Sequence, residues 1–241
     1  RRFNEALDEA MAESMTRYGA QTDLYRDQFV GILSHDLRTP LGAITAGAAL
    51  LAHAAADDQR QSRVAARILN SAQRMERMIA DLLDLTRTRL GGAIPLNAVH
   101  TDLQSVCEEV VLEIQATHPE AVVRFESRGE VTGHWDADRL AQVVSNLVGN
   151  AIEHGAKAPV TIVASEAGER VMLTVHNNGD PIPAQARATL FEPLSRGTSD
   201  NPRNLGLGLF IARAIVIGHG GEIDVTSTAE SGTTFEVAVP R

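Results

Sequence analysis

S-H-D-L-R-T-P-L, from Ser34 to Leu41, and N-L-V-G-N-A-I-E-H-G, from Asn146 to Gly155, are the two stretches of this sequence that decide its fold. The first lies in a helical pattern, because at about 100° per residue the apolar positions between Phe29 and Leu51 fall on one side of a helix. His35 projects from the opposite side of that helix. The pattern therefore predicts an imidazole that faces solvent or a partner and not the core.

The neighbours of His35 are suited to proton chemistry. Asp36 lies on the flank of the same helix and could accept a proton from the imidazole, while Thr39 follows one turn later near the same face. Pro40 lacks an N–H group and should distort the helix at that point. A lone exposed histidine is more often a solvated surface residue. This neighbourhood and the second stretch favour a reactive one.

The second stretch has the chemistry of a magnesium and nucleotide pocket. Asn146 and Asn150 are four residues apart and share one face of a predicted helix, with His154 one turn further along. An amide oxygen is a hard ligand that suits Mg²⁺, although a buried asparagine often only caps backbone groups. The signal gains weight because four further segments follow in order: V-H-N-N-G-D-P-I-P (Val175 to Pro183), L-F-E-P-L-S-R-G (Leu190 to Gly197), G-L-G (Gly206 to Gly208) and S-G-T-T-F (Ser231 to Phe235).

Gly206 and Gly208 are expected to open a helix, where backbone N–H groups can approach phosphates at the positive end of the helix dipole. As a bare pattern, G-x-G is common in turns and has low specificity. The order of the segments, more than any single one, indicates a nucleotide site.

The chain is predicted to have four parts. Spacings of four and three from Met11 to Ile32 predict an entering coiled-coil helix over residues 1–27. Residues 28–91 form an all-α dimerisation hairpin, since two amphipathic helices cannot bury both faces alone and so predict a four-helix bundle in a homodimer. Glycines and a proline mark a linker over residues 92–97. Residues 98–241 alternate helices with an antiparallel or mixed sheet, an α+β two-layer sandwich.

The predicted elements of the sandwich follow from periodicity and turn signals. Asp102 is a good N-cap for a helix that ends near Thr117. Further helices are expected from about Ala137 and over residues 207–218, and strands over 122–126, 133–136, 160–165, 171–176, 222–227 and 233–239.

Composition excludes some classes of protein. The net charge of −9 argues against a general nucleic-acid binder. Cys107 is the only cysteine, so no internal disulfide can form, and its apolar neighbours predict a buried small side chain. The small-residue run over 43–56 is too short to cross a bilayer and no signal peptide is visible, so we expect a cytoplasmic portion. Because the chain opens without methionine, we expect a fragment with a sensor domain upstream.

The string from His35 to Pro40 resembles the phosphoacceptor helix of two-component sensor histidine kinases: a histidine, an acid, two spacers, threonine or asparagine, then proline. The later segments resemble the N, G1, F, G2 and G3 boxes of the Bergerat (GHKL) ATP-binding fold, which these kinases share with Hsp90-type chaperones, type II topoisomerases and mismatch-repair ATPases. The resemblance covers about Gln28 to Arg241. The N-x-G-x-P-I-P string of this chain is similar to a variant of the box found in kinases attached to bacterial phytochromes.

The resemblance implies a role for each matching residue. His35 would attack the terminal phosphate of ATP, Asp36 would act as base, and Thr39 would position water for dephosphorylating a partner. Asn150 would hold Mg²⁺, Asn177 would face adenine, and residues 183–205 would form a mobile lid. The implied nucleotide-binding set is Asn146, Asn150, His154, Lys157, Asn177, Gly179, Ile182, Arg196, Gly206, Leu207, Gly208 and Thr233. The implied cofactors are ATP and Mg²⁺, and the implied partners are a second copy and the receiver domain of a response regulator.

Four departures from the family pattern affect the pocket and the lid. Asn177 stands where the family usually has aspartate, which suggests adenine affinity lower by about 1 kcal/mol. Pro181 and Asn204 replace glycines, and Leu194 replaces an aromatic residue. These departures keep open a non-catalytic or phosphatase-only scaffold with a degenerate pocket. An ATPase of the same fold is a further alternative, but Asn146 stands where such enzymes carry a glutamate base.

Overall fold

The computed structural model describes residues 41–42, 44–49, 51, 59–89, 91–155, 158–193 and 206–241. The chain divides into two compact units, residues 1–92 and residues 93–241. The predicted coiled coil over residues 1–27 and the residues His35, Asp36 and Thr39 lie outside the described residues.

The described part of the first unit is helical. Residues 41–42, 44–49 and 51 are helical, and helix α1 spans Gln59–Arg89. Small side chains are buried in both stretches, with Ala48 in the first and Ala65 and Ala72 in α1. Thr45 Oγ1 donates to Glu76 Oε1 over 3.5 Å, so the two stretches lie side by side. The predicted all-α hairpin is confirmed for these residues.

The boundary between the units falls inside the stretch predicted as a linker. Ile94 is buried in the second unit, and Asn97 N donates to Asp136 Oδ2 over 2.7 Å. The side chain of Leu96 lies within 3.3 Å of the position that a Cβ would occupy at Gly218. Residues 94–97 therefore pack as part of the second unit.

The second unit places helices against one face of a five-stranded sheet. Its helices are α2 (Leu103–Thr117), α3 (Ala137–His154), α4 (Ala184–Ala188) and α5 (Gly208–Gly218). Its strands are β1 (Val99–Asp102), β2 (Val123–Arg128), β3 (Thr132–Trp135), β4 (Val160–Ala167), β5 (Arg170–Asn177), β6 (Glu222–Thr228) and β7 (Gly232–Pro240).

The main sheet is mixed, with strand order β2-β4-β5-β7-β6. β2 runs parallel to β4, and the other neighbouring pairs are antiparallel. Burial alternates along β4, β5 and β7, so one face of the sheet carries the core and the other is half-exposed. The predicted α+β two-layer sandwich is confirmed, and every predicted helix and strand of this unit is present within two residues of its expected ends.

Strand β1 was not predicted from the sequence. It pairs with β3 in a separate two-stranded antiparallel sheet, with Val99 opposite Trp135 and Asp102 opposite Thr132. V-H-T-D is short and largely polar, so its periodicity does not distinguish a strand from a linker. Its partner strand lies 30 or more residues further along the chain, and only that pairing defines the strand.

Candidate nucleotide-binding site

The two asparagines of the second stretch lie on helix α3. The helix begins after Asp136, whose side chain accepts from Arg139 N over 3.1 Å. Apolar side chains from Leu140 to Ala151 form its buried stripe and leave Asn146 and Asn150 half-buried beside it. The helical spacing predicted for this pair is therefore observed.

Asn146 joins α3 to the first turn of α5. Its Nδ2 donates to the carbonyl oxygen of Gly208 over 3.0 Å. A Cβ at Gly208 would lie 3.3 Å from Asn146 Oδ1, so this close approach suits a residue without a side chain. Sequence reasoning missed this bond, because nothing in a four-residue spacing shows which distant backbone group the amide meets.

Asn150 and His154 are the two other predicted site residues of α3. The Asn150 side chain is half-buried and makes no hydrogen bond to any of the described residues. His154 is exposed and ends the helix. Lys157 lies outside the described residues.

Glycines allow the end of α3 to meet the end of β5. A side chain at Gly155 would clash with the carbonyl oxygen of Ala151, and its Cβ would lie 3.4 Å from Asn177 Cβ. A side chain at Gly179 would clash with the carbonyl oxygen of His154, and its Cβ would lie 3.3 Å from Asn177 Nδ2. These two glycines therefore bring the predicted base-binding segment against the helix that carries Asn150.

Asn177 is the last residue of β5 and is 3% exposed. No hydrogen bond joins its side-chain amide to any of the described residues. Gly232, with φ of +70°, lies so close to Asn177 that a side chain there would clash with the Asn177 carbonyl oxygen. Within the described part of the chain, Ser127 Oγ is the only buried side-chain oxygen or nitrogen without a hydrogen-bond partner, so the Asn177 amide is not both buried and unpaired.

Hydroxyl groups fix the loop that follows Asn177. Ile182 N donates to Ser227 Oγ over 2.9 Å, and Ser227 Oγ lies 2.7 Å from Thr233 Oγ1. Ser227 and Thr233 are both buried. Ile182 and Thr233 were predicted site residues, whereas Ser227 was not, because a serine within a strand gives no signal of its own.

The glycine-rich turn before α5 has the predicted form. Gly206 has φ of +69°, a backbone conformation that favours glycine. Leu207 is buried and is the N-cap of the helix, without a side-chain capping bond. The first N–H groups of α5 are therefore not capped by that side chain, as a phosphate-facing helix end requires.

The beginning of the predicted lid is anchored by an aromatic cluster. The rings of Phe191 and Phe235 meet edge to face with centroids 6.5 Å apart, and Arg213 Cζ lies 5.8 Å from the Phe191 centroid. This cation–π contact was not predicted from the sequence. Helix α4 lies within the stretch predicted as irregular, while Arg196, Arg203 and the rest of residues 194–205 lie outside the described residues.

The described residues thus bring three segments together: the C-terminal half of α3, the end of β5 with its following loop, and the start of α5. Within the described ranges, no cluster of three or more histidine, cysteine, aspartate or glutamate side chains could hold a metal ion. A divalent ion here would depend on amide and phosphate oxygens, the ligands that suit Mg²⁺. None of the helices in this part of the chain has the length and apolar character needed to cross a membrane.

Two family descriptions match the chain. Residues 25–91 match the His Kinase A (phospho-acceptor) domain. Residues 135–241 match the Histidine kinase-, DNA gyrase B-, and HSP90-like ATPase family. The two matches cover the predicted phosphoacceptor helix and all the segments of the candidate site.

Several proteins are similar to most of the chain. A bacteriophytochrome of Pseudomonas aeruginosa is 36% identical over 225 residues, which are 92% of this chain and 30% of that protein. The probable sensor histidine kinase TcrY of Mycobacterium tuberculosis is 34% identical over 243 residues, which are 99% of this chain and 50% of that protein. The crystal structure of full-length ShkA in complex with AMPPNP has a TM-score of 0.68 at 25% identity and covers 88% of this chain and 45% of that one. The chain thus spans half or less of the length of these relatives.

Proposed function

Because the chain belongs to the sensor histidine kinases of two-component systems, we propose that it transfers the terminal phosphoryl group of ATP to His35. In this step an imidazole nitrogen forms a bond to the γ-phosphorus, and the bond from that phosphorus to the β–γ bridging oxygen breaks. Asp36 accepts the imidazole proton, and ADP leaves. The observation that carries the proposal is the convergence of Asn150, Asn177 and the start of α5 in one region of the sandwich.

The donor set fits a magnesium nucleotide. The amide oxygen of Asn150 is a hard ligand, and Mg²⁺ bound there would neutralise charge on the phosphates. Asn146 keeps the N-terminus of α5 beside α3 through its bond to Gly208. We assign phosphate contacts to His154, Lys157 and Arg196, and the base to Asn177, Gly179, Ile182 and Thr233.

The phosphoryl group on His35 would then pass to an aspartate of a response regulator. A carboxylate oxygen of that receiver forms the new bond to phosphorus, and the P–N bond breaks as the imidazole regains a proton. We assign to Thr39 the positioning of water for a separate reaction, the hydrolytic dephosphorylation of the regulator. Catalysis of both reactions depends on positioning and on neutralised charge.

We also propose that the working form is a homodimer. Helix α1 and the helical residues before it leave large apolar side chains exposed, which a second copy of the hairpin would cover. The chain would receive its signal from a sensor domain in cis.

Incubation of the purified chain with γ-labelled ATP and Mg²⁺ tests the proposal. We expect an acid-labile label on the protein that His35→Gln removes. The control is His100→Gln, which changes an exposed histidine of the second unit and should leave the label intact. Steady phosphate release without a labelled protein would instead indicate an ATPase, and absence of both would indicate a scaffold.

A further inference from the structure

We propose that His219 is a positioning residue for nucleotide binding, because it fixes the position of helix α5 along helix α3. It thereby fixes the distance between the N-terminus of α5 and Asn150. The inference rests on the proposed function, since it takes the phosphates to lie between that helix end and a Mg²⁺ ion at Asn150. It goes further by giving a role in phosphate binding to a residue at the opposite end of α5.

Helix α5 is hydrogen-bonded to α3 at both of its ends. At the N-terminus, Asn146 Nδ2 donates to the carbonyl oxygen of Gly208 over 3.0 Å. At the C-terminus, the backbone N–H of Asp136, the N-cap residue of α3, donates to His219 Nε2 over 3.0 Å. The two helices therefore lie antiparallel, with about 15 Å of α3 and about 16.5 Å of α5 between the two bonds at 1.5 Å per residue.

The hydrogen bonds of His219 determine which form of the imidazole makes this contact. Nδ1 lies 2.9 Å from the carbonyl oxygen of Ile215, which can only accept, so Nδ1 carries the proton. Nε2 faces the N–H group of Asp136, which can only donate, so Nε2 is the acceptor. The ring thus has one bond within α5, which fixes its orientation, and one bond to α3, which joins the helices.

Apolar packing alone would not fix the position of α5 as closely. The helix packs against α3 and buries side chains such as Ile211 and Ile215. Burial of apolar surface is non-directional, whereas a hydrogen bond holds two atoms to within a few tenths of an ångström. Asp136 is itself held, because its carboxylate accepts from Asn97 N over 2.7 Å and from Arg139 N over 3.1 Å. His219 therefore ties α5 to a fixed point.

A shift of α5 along α3 would change phosphate binding more than base binding. The residues that we assign to the base, such as Asn177 and Gly179, lie on β5 and the loop after it and not on α5. The phosphates, in contrast, would bridge Asn150 on α3 and the start of α5. Without the bond to His219, affinity for the phosphates should decrease and affinity for the nucleoside should not.

Titration calorimetry with Mg-ADP and with adenosine tests the proposal on the intact chain. His219→Gln and His219→Asn form a matched pair, because a glutamine amide reaches about as far as Nε2 and an asparagine amide about as far as Nδ1. We expect His219→Asn to raise the dissociation constant of Mg-ADP about tenfold and His219→Gln to keep it within about threefold, with adenosine unaffected by either. The control is Ile217→Ala, at a position 55% exposed on the same end of α5, which should change neither constant.

Amide hydrogen exchange in the natural chain gives a second measurement that needs no variant. If the bond from Asp136 N to His219 favours phosphate binding, phosphate binding must favour that bond by the same factor. Saturating Mg-ADP should therefore slow the exchange of the Asp136 amide by up to about tenfold, whereas saturating adenosine should leave it unchanged.

Each outcome supports or overturns the inference. Recovery of Mg-ADP affinity by His219→Asn and not by His219→Gln would show that only the bond within α5 matters, and equal losses for Mg-ADP and adenosine would show general damage to the site. An exchange rate at Asp136 that Mg-ADP leaves unchanged overturns the inference even if no variant folds. If the natural chain does not bind Mg-ADP at all, the proposed nucleotide site itself fails, and that result is seen before any variant is made.

Discussion

The helical unit and the sandwich unit bury their apolar side chains in opposite ways. In the helical unit the buried positions include the alanines 48, 65 and 72, while larger side chains are left exposed, for example Met75 at 44% and Leu82 at 54%. In the sandwich the large side chains are inside, and Trp135, Leu147 and Ile211 are each 1% exposed or less. The described part of the helical unit thus buries three alanines and one large apolar side chain, Leu41, whereas the sandwich buries most of its large side chains.

This difference separates a surface that needs a partner from a core that is complete. Val64, Ile68, Met75 and Leu82 are exposed at spacings of four and seven, which is the seam pattern of packed helices. A second copy of the hairpin would cover that seam. The sandwich carries no such stripe on α3, and its stability should not depend on protein concentration.

The strongest test of the closed core is the reactivity of Cys107. Burial raises the pKa of its thiol from 9.0 to about 12, with further contributions from the carboxylates of Asp102 and Glu108. Three pKa units lower the thiolate fraction about 1000-fold, so a thiol reagent at about pH 8 should label the folded chain at least that much more slowly than the chain in denaturant. Equal rates in the two conditions would show that α2 is open.

The same pKa predicts an alkaline loss of stability. The unfolded thiol loses its proton near 9.0, whereas the folded thiol keeps it until about 12. Because the folded state binds this proton more tightly, the contribution of Cys107 is complete below pH 9.0 and decreases as the pH rises towards 12. Unfolding followed across that range should show the decrease, and Cys107→Ala should reduce it.

Truncation of a buried side chain should substantially lower the free energy of unfolding of the sandwich. Leu147→Ala removes a fully buried side chain of α3 and is expected to lower the free energy of unfolding of this unit by about 3–4 kcal/mol. Trp135 is the only tryptophan and is buried in this unit, so its fluorescence reports on the sandwich alone. Leu112→Ala, at a position 66% exposed on α2, is the control and should change the value by less than about 0.5 kcal/mol. A loss that varied with protein concentration would contradict a self-sufficient core.

A charged side chain on the helical seam tests whether that surface is the dimer interface. Met75→Glu should raise the dissociation constant of the dimer by about 100-fold or more, because the carboxylate would be buried without a partner. Sedimentation equilibrium measures this directly. Asn70→Glu places the same charge on the opposite side of α1 and should leave dimerisation unchanged. If both variants dimerise equally, the exposed stripe is not the interface.

How far the sequence predicts each part depends on the range of the interactions involved. Helix and strand positions in the sandwich followed from periods of 3.6 and 2 and from local caps such as Asp102, because those signals lie within a few residues. The family was predicted from ordered motifs and is confirmed. The roles of His35, Asp36 and Thr39 stay predictions, since these residues lie outside the described part of the chain.

The contacts that shape the site could not be predicted in the same way. The bond from Asn146 to Gly208 joins residues 62 positions apart, and the ring contact of Phe191 with Phe235 depends on how the loop after β5 folds back over β7. The position of Asn177 among three glycines depends on α3, β5 and the β6–β7 turn together. A motif gives the chemistry of a residue, whereas its partners depend on the tertiary fold.

Removal of a helix cap should lower the stability of the sandwich by a moderate amount. The Asp102 side chain accepts from Gln104 N over 3.0 Å at the start of α2. Asp102→Ala should lower the free energy of unfolding of the unit by about 1 kcal/mol, and Asp102→Asn should restore most of it because asparagine also caps helices well. Tryptophan fluorescence in denaturant measures both variants. A complete loss of folding in Asp102→Ala would mean that the residue does more than cap the helix.

The smallest effect on stability is expected from the loss of an ion pair on β2, at the edge of the sheet. Arg128 and Glu126 form an ion pair of 2.9 Å on β2, and the guanidinium lowers the pKa of the Glu126 carboxyl through a hydrogen bond and its charge. A lowered pKa adds stability above the ordinary titration range of the carboxyl, and that stability is lost as the pH falls through the folded pKa. Both side chains are solvated, so Glu126→Gln should leave the midpoint of unfolding unchanged within error at neutral pH. A clear shift of that midpoint would show that this edge is covered in solution and would weaken the contrast with the helical seam.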